Sequence, residues 1–226
     1  MTGNHDIGYA GEMTPERLDR WERIFGPTNF AVNLNVGERC LRLIILNNLN
    51  MDGPATFQDL QAETYEFIEG VSSLPKPDAL ILFTHIPLSK PGGICVDNPS
   101  IEYWWENGPI HEQNHLSKFS SSWIMDAFFT SNETASGMLP GVIVNGHDHE
   151  GCDTVHYLDY ENKENKSGSV IWKQMRFSDS NSTMSNCLKK GAAIREITVR
   201  SIMGDFQGNT GLMTARFDNN SKGMKY

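Results

Sequence analysis

Two short apolar runs, each followed at once by a histidine motif, constrain the fold of this chain most strongly. Residues 79–83 precede a motif with His85, and residues 141–144 precede a motif with His147 and His149. Apolar runs of this length, bounded by turn residues, are typical of buried strands in a parallel sheet. Ligands bind outside the carboxyl ends of such strands, so we expect the three histidines to converge at one edge of the sheet.

The segments around these runs alternate between strand and helix patterns. Helices are predicted over residues 15–25, 57–71 and 118–129, and a buried strand over residues 41–46. From about Thr154 onward, short segments separated by polar or glycine-rich turns indicate antiparallel strands. We therefore expect an α/β fold in one domain that covers residues 1–226, a length that can bury one sizeable core.

The charge balance and the apolar content exclude some partners. The chain has 28 Asp and Glu against 19 Lys and Arg, a net charge of −9, and no run of basic residues, so no nucleic-acid partner is expected. The longest apolar stretches fall far below the roughly 20 residues that cross a bilayer. The first residues have neither the basic nor the apolar region of a secretory signal.

A third histidine motif, Gly3-Asn4-His5-Asp6, opens the chain. Neutral imidazoles and an Asn carbonyl suit a borderline divalent ion such as Mn, Fe or Zn, and alternation lets His147 and His149 face two neighbouring ions. Two adjacent ions would activate a water and hold a phosphoryl oxygen. A lone histidine is more often a hydrogen-bonded loop residue, so the prediction depends on the joint occurrence of the three motifs.

In this order, the GNHD sequence at residues 3–6, the strand ending at His85 and the GHDH sequence at residues 146–149 resemble the last three motifs of the calcineurin-like metallophosphoesterases. Residues 85–88, 113–117, 146–152 and 197–204 look like a branch of that family. This branch comprises membrane phosphodiesterases of the endoplasmic reticulum (ER) and Golgi that remove ethanolamine phosphate from glycosylphosphatidylinositol (GPI) anchors. The resemblance implies a four-layer β-sandwich flanked by helices, a phosphodiester substrate, and GPI-anchored proteins or GPI lipid as partners.

The resemblance also implies roles for individual residues. Asn4, His85 and His147 would ligate one ion, His149 would ligate the other, and His5 would serve the phosphoryl transition state or the leaving group. The implied cofactor is manganese or a similar divalent ion. The implied location is the lumen, with membrane attachment only through flanking segments outside this chain.

The long connection from Ser89 to Ser117 would face the substrate. Its candidate substrate-binding residues are Trp104, His111, Gln113 and Asn114. Trp104 and its neighbour Trp105 are candidates for stacking on a sugar ring. The alternative is that one of the two is a buried anchor and the other is an exposed aromatic side chain. The connection is longer than compact loops usually are, which favours a functional role.

The first two motifs of the family, a DxH and a GDxxD, would precede GNHD, but only Met1 and Thr2 stand there. We therefore expect an N-terminally truncated member of the family with weak binding of about one ion. The same departure leaves open a second class of function, a non-catalytic lumenal protein that binds a phosphate-bearing glycan without turnover.

A third alternative is a zinc peptidase. His111, Glu112 and His115 match HExxH, in which two histidines one helical turn apart hold zinc and the glutamate acts as base. Glu133 lies downstream as a third ligand. A glycine–proline pair just upstream and the lack of helical periodicity disfavour this alternative.

The four cysteines show no CxxC spacing. Cys95 and Cys152 each follow a histidine motif, so a disulfide between them and a pair of free thiols are both open. Cys40, which leads a predicted strand, is expected to serve packing. Four N-x-S/T sequons hint at a lumenal glycoprotein, in keeping with the ER or Golgi location, and begin at Asn132, Asn165, Asn181 and Asn219.

Overall fold

The structure, a computed structural model, describes residues 1–132, 134, 136–158, 171–180, 192–208, 210–217 and 224–225. The sequons at Asn165, Asn181 and Asn219 lie outside the described residues. The helices are α1 (Asn4–Ile7), α2 (Pro15–Phe25), α3 (Gln58–Ser72) and α4 (Lys118–Phe129). The strands are β1 (Phe30–Val36), β2 (Arg39–Ile45), β3 (Ala79–Phe83), β4 (Ile101–Tyr103), β5 (Ile110–Gln113), β6 (Gly141–Asn145), β7 (Cys152–Leu158), β8 (Trp172–Arg176), β9 (Ala193–Thr198), β10 (Arg216–Phe217) and β11 (Met224–Lys225).

One large sheet organises the described residues. Its strand order is β1-β2-β3-β6-β9-β7-β8, and β4-β5 and β10-β11 form two separate two-stranded sheets. Strands β2, β3, β6 and β9 are parallel, whereas β1, β7 and β8 each pair antiparallel with a neighbour. The predicted α/β class is confirmed, with a large central sheet flanked by helices. The expected antiparallel pairing of the later strands is confirmed for β7 and β8, whereas β9 pairs in parallel with β6 and antiparallel with β7.

The ends of α2 show why this helix forms where the sequence predicts it. Thr14 caps the helix by accepting a hydrogen bond from the backbone N–H of Arg17 at 3.3 Å, and Pro15 occupies the first helical position. The helix ends at Gly26, whose φ of 85° lies in the left-handed region that favours glycine.

The two faces of the sheet are covered to different degrees. Helices α3 and α4 pack on one face, where Ile44, Leu82 and Ile143 are fully buried. The opposite face carries a smaller buried cluster around Ile81. This asymmetry leaves the main core between the sheet and the helices, below the edge at which the histidine motifs emerge.

Strand β1 is one of the two edges of the large sheet within the described residues, and β8 is the other. The alternate apolar side chains of β1 are between 36% and 57% exposed, at Phe30, Val32, Leu34 and Val36. Among the helices in the described ranges, none combines the length and the apolar character of a membrane span.

Candidate metal-binding site

His85 and His147 follow two strands that are paired in parallel, β3 and β6, and therefore emerge side by side. Their ring centroids lie 4.9 Å apart. The side chain of Asn48 fixes the first of the two loops, because its Oδ1 accepts hydrogen bonds from the backbone N–H groups of His85 at 3.2 Å and Ile86 at 3.0 Å. The strand topology thus brings together two residues that are distant in the sequence.

Asn4 reaches the same point from α1. Its Oδ1 lies 3.0 Å from Nε2 of His85. The approach is close, since a Cβ at Gly3 would lie 3.1 Å from Cε1 of His85. Glycine before Asn4 therefore allows the short helix to sit against the histidine ring.

The spacing of these atoms fits a divalent ion. Two donor atoms that each lie about 2.1 Å from one ion, at a right angle to each other, are about 3.0 Å apart. The distance between Asn4 Oδ1 and His85 Nε2 is also 3.0 Å. This is equally the length of a hydrogen bond from Nε2–H to Oδ1, so a metal bound between the two atoms would replace the proton on Nε2. An asparagine oxygen and imidazole nitrogens are ligands that manganese, iron and zinc accept.

His147 offers a defined nitrogen to such an ion. Its Nε2 lies 2.7 Å from the backbone carbonyl oxygen of Gln113. A carbonyl oxygen only accepts hydrogen bonds, so Nε2 carries the proton and Nδ1 keeps the free lone pair. His147 also has a φ of 70°, a left-handed conformation that histidine adopts more readily than most residues.

Burial keeps the two imidazoles neutral. It lowers the pKa of His85 to about 3, with further lowering from the charges of His147, His5 and His149. Burial also lowers the pKa of His147, although the bond to Gln113 opposes the shift. The neutral imidazole is the form that ligates metals. Near pH 7, both residues are therefore in the protonation state that metal binding requires.

His5 and His149 complete the predicted group. His5 is exposed on α1, and His149 stacks on Phe206 with ring centroids 4.8 Å apart. Their charges act on His85, which places both residues in its neighbourhood. All five residues with predicted metal or catalytic roles therefore lie in one region, and their individual roles stay predictions.

Tyr9 belongs to this region, although no sequence motif pointed to it. Its hydroxyl lies 3.3 Å from Nε2 of His147, and its side chain is buried. Burial raises the pKa of Tyr9 to about 12, with a further contribution from the charge of Glu112. The phenol therefore stays protonated and polar beside the histidine.

The candidate substrate-binding residues lie around the hairpin of β4 and β5. Trp104 is exposed and stacks on His111 with ring centroids 4.0 Å apart. Gln113 is buried and faces His147 through its backbone, while its side chain donates to Asp52. The side chain of Asn114 is engaged within the loop: its Oδ1 accepts from the N–H of Ser100, and its Nδ2 donates to the carbonyl of Asn98.

The zinc-peptidase alternative is wrong. Residues 110–113 form strand β5, so His111 and His115 do not share a helix face as HExxH requires. His111 stacks on Trp104, whereas His115 is buried with its Nε2 3.6 Å from Oδ2 of Asp148. Glu133, its suggested third ligand, lies outside the described residues.

Cys95 and Cys152 form a disulfide, and Cys40 is half-buried with a free thiol. Ligand atoms of Cys95, His115 and Asp148 all lie within 4.8 Å of one another. A disulfide sulfur is not a thiolate, so this cluster has no cysteine ligand for a metal in the oxidised chain.

His85 and His147 follow adjacent parallel strands and Asn4 contacts His85 from α1, which is the arrangement expected of a metallophosphoesterase-like protein. The chain is 32% identical over 230 residues to Protein TED1 of Saccharomyces cerevisiae, a match that covers 98% of the chain and 44% of TED1. It is 24% identical over 173 residues to Metallophosphoesterase 1 of Danio rerio, across 69% of the chain and 42% of that protein. Cell division control protein 1 of S. cerevisiae is 21% identical over 173 residues, across 76% of the chain and 33% of that protein.

These similarities confirm the predicted resemblance: the chain belongs to a metallophosphoesterase-like family, in a branch with TED1. The chain spans less than half the length of each of these relatives. No protein-family model matches the chain, and no solved structure matches it.

Proposed function

We propose that this chain is a metal-dependent phosphodiester hydrolase domain that removes ethanolamine phosphate from the glycan of GPI anchors in the lumen of the ER or Golgi. The observation that carries the proposal is the convergence of Asn4, His85 and His147 at neighbouring strand ends. Residues 85–88 and 113–117, which resemble the GPI-anchor branch, both contribute to this region.

The site residues would have different roles in phosphodiester hydrolysis. Asn4, His85 and His147 would hold a divalent ion, for which manganese is the proposed choice, and His149 would serve a second position. When bound, the metal supplies Lewis-acid polarisation of the phosphoryl oxygen and an activated water. His5, exposed at the start of the chain, would protonate the departing alkoxide.

The surroundings fit a phosphorylated glycan. Trp104 is 49% exposed and Trp105 is 65% exposed, so both offer an aromatic face on which a sugar ring can stack. The net charge of −9 disfavours nucleic acids as the source of the phosphodiester. GPI-anchored proteins or free GPI lipid are the proposed partners, and contact with the membrane would come through flanking segments.

A second function is favoured by one observation. The donor atoms that converge on Asn4, His85 and His147 are all neutral, and within the described ranges no carboxylate oxygen is paired with them. Without an anionic ligand, a divalent charge is poorly balanced and the site would bind metal weakly. The alternative is therefore a non-catalytic protein that binds the phosphate-bearing glycan without hydrolysing it.

The test combines metal content with turnover. The chain is loaded with manganese, desalted and analysed by mass spectrometry, and hydrolysis of bis-p-nitrophenyl phosphate is measured in parallel. We expect about one ion per chain and turnover that is lost in Asn4→Ala and His147→Ala. Asn35→Ala, at an exposed asparagine on β1, is the matched control and should change neither quantity. Saturable binding of phosphoethanolamine-mannose without turnover would support the non-catalytic alternative instead.

A further inference from the structure

A second group of buried polar atoms lies beside the disulfide and has no hydrogen-bond partner among the described residues. His115 and Asp148 are 1% and 2% exposed. Within the part of the chain that the structure describes, both ring nitrogens of His115 and Oδ2 of Asp148 lack a hydrogen-bond partner. The separation of 3.6 Å between His115 Nε2 and Asp148 Oδ2 is too long for a hydrogen bond. Buried polar atoms without partners cost free energy, so this arrangement indicates a ligand between them.

The sulfur atoms of the disulfide lie at the same point. Cys95 is buried, and its Sγ lies within 4.8 Å of the ligand atoms of His115 and Asp148. Sγ of Cys152 is bonded to it at 2.09 Å. One sulfur, one imidazole nitrogen and one carboxylate oxygen therefore surround a single small volume, and the sulfur of Cys152 lies directly beside it.

We propose that reduction of the Cys95–Cys152 disulfide converts this cluster into a zinc site with Cys95, Cys152, His115 and Asp148 as ligands. Thiolates, imidazole and carboxylate are the ligands that zinc accepts in four-coordinate sites. In a tetrahedral site with bonds of about 2.1 to 2.3 Å, the ligand atoms are about 3.4 to 3.8 Å apart. The spacing of the Cys95, His115 and Asp148 atoms approaches this range. Once the S–S bond is broken, Sγ of Cys152 has to move toward these three atoms to become the fourth ligand.

The surroundings favour a cation here. The buried ammonium of Lys90 is paired with the carboxylate of Glu196 at 2.9 Å, and Asp148 acts on Lys90 only through its charge, without a direct ion pair among the described residues. The disulfide is also accessible, since a surface cavity of about 320 Å³ is lined by both cysteines and by Ile94, Val96 and Phe177. A reductant can therefore reach the S–S bond from this cavity. The side chains of His115 and Asp148, the other two proposed ligands, are buried.

A phosphine is the reductant for the Cys95–Cys152 disulfide in this proposal. The phosphine gives two electrons to the S–S bond and takes up the oxygen of one water. The two protons of that water end on the sulfurs as two thiols. Zinc then binds both sulfurs as thiolates, and two protons pass to the buffer.

This proposal is independent of the proposed hydrolase activity, because it uses none of the residues Asn4, His85, His147 or His149. Cobalt(II) is the probe. The whole chain is reduced with the phosphine, desalted and titrated with cobalt, and the oxidised chain is titrated in parallel. We expect a thiolate-to-cobalt charge-transfer band in the reduced chain alone, and its loss when zinc is added. Cobalt bound at the histidine site would give no such band.

Matched variants locate the metal. The band should be lost in the Cys95→Ser, Cys152→Ser double variant and kept in Cys40→Ser, which alters the half-buried free cysteine. His115→Ala should shift the visible bands of cobalt, because water replaces a nitrogen ligand. A band that persists in the double variant, or no band in the reduced wild-type chain, would overturn the proposal.

A measurement on the wild-type chain tests the same site without depending on whether the variants fold. Zinc should protect both thiols of the reduced chain from alkylation at Cys95 and Cys152, whereas Cys40 should react at the same rate with and without zinc. Equal alkylation of all three cysteines in the presence of zinc would contradict the site.

Discussion

The backbone carbonyl oxygen of Gln113 lies 2.7 Å from Nε2 of His147, although the two residues are 34 positions apart. This contact determines which nitrogen of His147 remains free for a metal. The side chain of Gln113 donates to Asp52, which also accepts hydrogen bonds from Ser117 and Ser120. Asp52 thus fixes β5 and the start of α4, and through them the orientation of a candidate ligand.

Replacing Asp52 with asparagine should destabilise the chain. The carboxylate of Asp52 accepts from the N–H and hydroxyl of Ser117 and from the hydroxyl of Ser120, and an amide nitrogen cannot accept these bonds. We expect the free energy of unfolding to fall by about 3 kcal/mol, measured by urea denaturation. Asp97→Asn, at an exposed position, is the control and should change stability by no more than about 0.5 kcal/mol. An Asp52→Asn variant as stable as that control would contradict the anchoring role.

Tyr9→Phe should weaken metal binding while the fold is kept. The ring stays buried, but the hydroxyl that lies 3.3 Å from Nε2 of His147 is lost. Groups that contact a ligating histidine typically contribute about 10-fold to 100-fold in metal affinity, and we expect a loss near the lower value by manganese titration. Tyr157→Phe is the control, because Tyr157 pairs with Ala193 at the end of β7 away from the histidine motifs. Equal manganese affinity in both variants would show that the Tyr9 hydroxyl has no role at the site.

Without metal, the stability of the chain should fall with acid. Burial lowers the pKa of His85 to about 3, against about 6.5 in the unfolded chain, so the unfolded state binds the proton first as pH drops. The contribution of His85 to the free energy of unfolding should therefore be constant above pH 6.5. It should decrease between pH 6.5 and pH 3, by at most about 1.4 kcal/mol per unit.

His85→Gln should make this dependence shallower, measured by chemical denaturation across that pH range with a chelator present. The lowered pKa of His147 acts in the same direction, so part of the slope should remain in the variant. An unchanged slope in His85→Gln would assign the acid sensitivity to other groups.

Lys90→Met should be strongly destabilising. The ammonium of Lys90 is buried and lies 2.9 Å from the carboxylate of Glu196, whose neighbour His156 lies 2.5 Å away. Burial lowers the pKa of Lys90, and the charge of Glu196 raises it. In the ion pair, each buried charge is therefore balanced by the other. Removal of one partner leaves an uncompensated buried charge and should cost about 3 to 5 kcal/mol, measured by thermal and urea unfolding. Lys118→Met, at an exposed position, provides the comparison and should have little effect.

The sequence predicted those parts of the fold that local patterns determine. The apolar runs of β3 and β6 and the bounds of α2 and α4 appear in the structure at the predicted places. The convergence of His85 and His147 followed from one topological rule, that ligands gather at the carboxyl ends of parallel strands.

Strand β1 was missed although the sequence carried a signal for it. Apolar side chains alternate along β1, and Gly37, with a φ of 64°, opens the two-residue turn that pairs Val36 with Arg39. A glycine at this turn position flanked by alternating apolar residues is a hairpin pattern. The two asparagines within the strand obscured it, because their polarity lowers the apparent strand propensity.

The roles of Tyr9 and Asp52 were beyond what the sequence indicates. Tyr9 meets a partner 138 positions away, and Asp52 meets Ser117 and Ser120 across 65 and 68 positions. Each residue stands in a loop without a recognisable motif, so only the tertiary arrangement defines its neighbours. The pairing of Cys95 with Cys152 stayed open for the same reason, because spacing along the chain does not determine distance in space.

The exposed apolar side chains along β1 have a consequence for the behaviour of this chain at high concentration. A strand with free backbone groups on one side and bulky aliphatic side chains on its surface is a template for another strand of the same kind. Because no described strand lies beyond β1, two copies can meet edge to edge. A lysine at Val32 or Leu34 would interrupt that pairing without entering the buried side of the sheet.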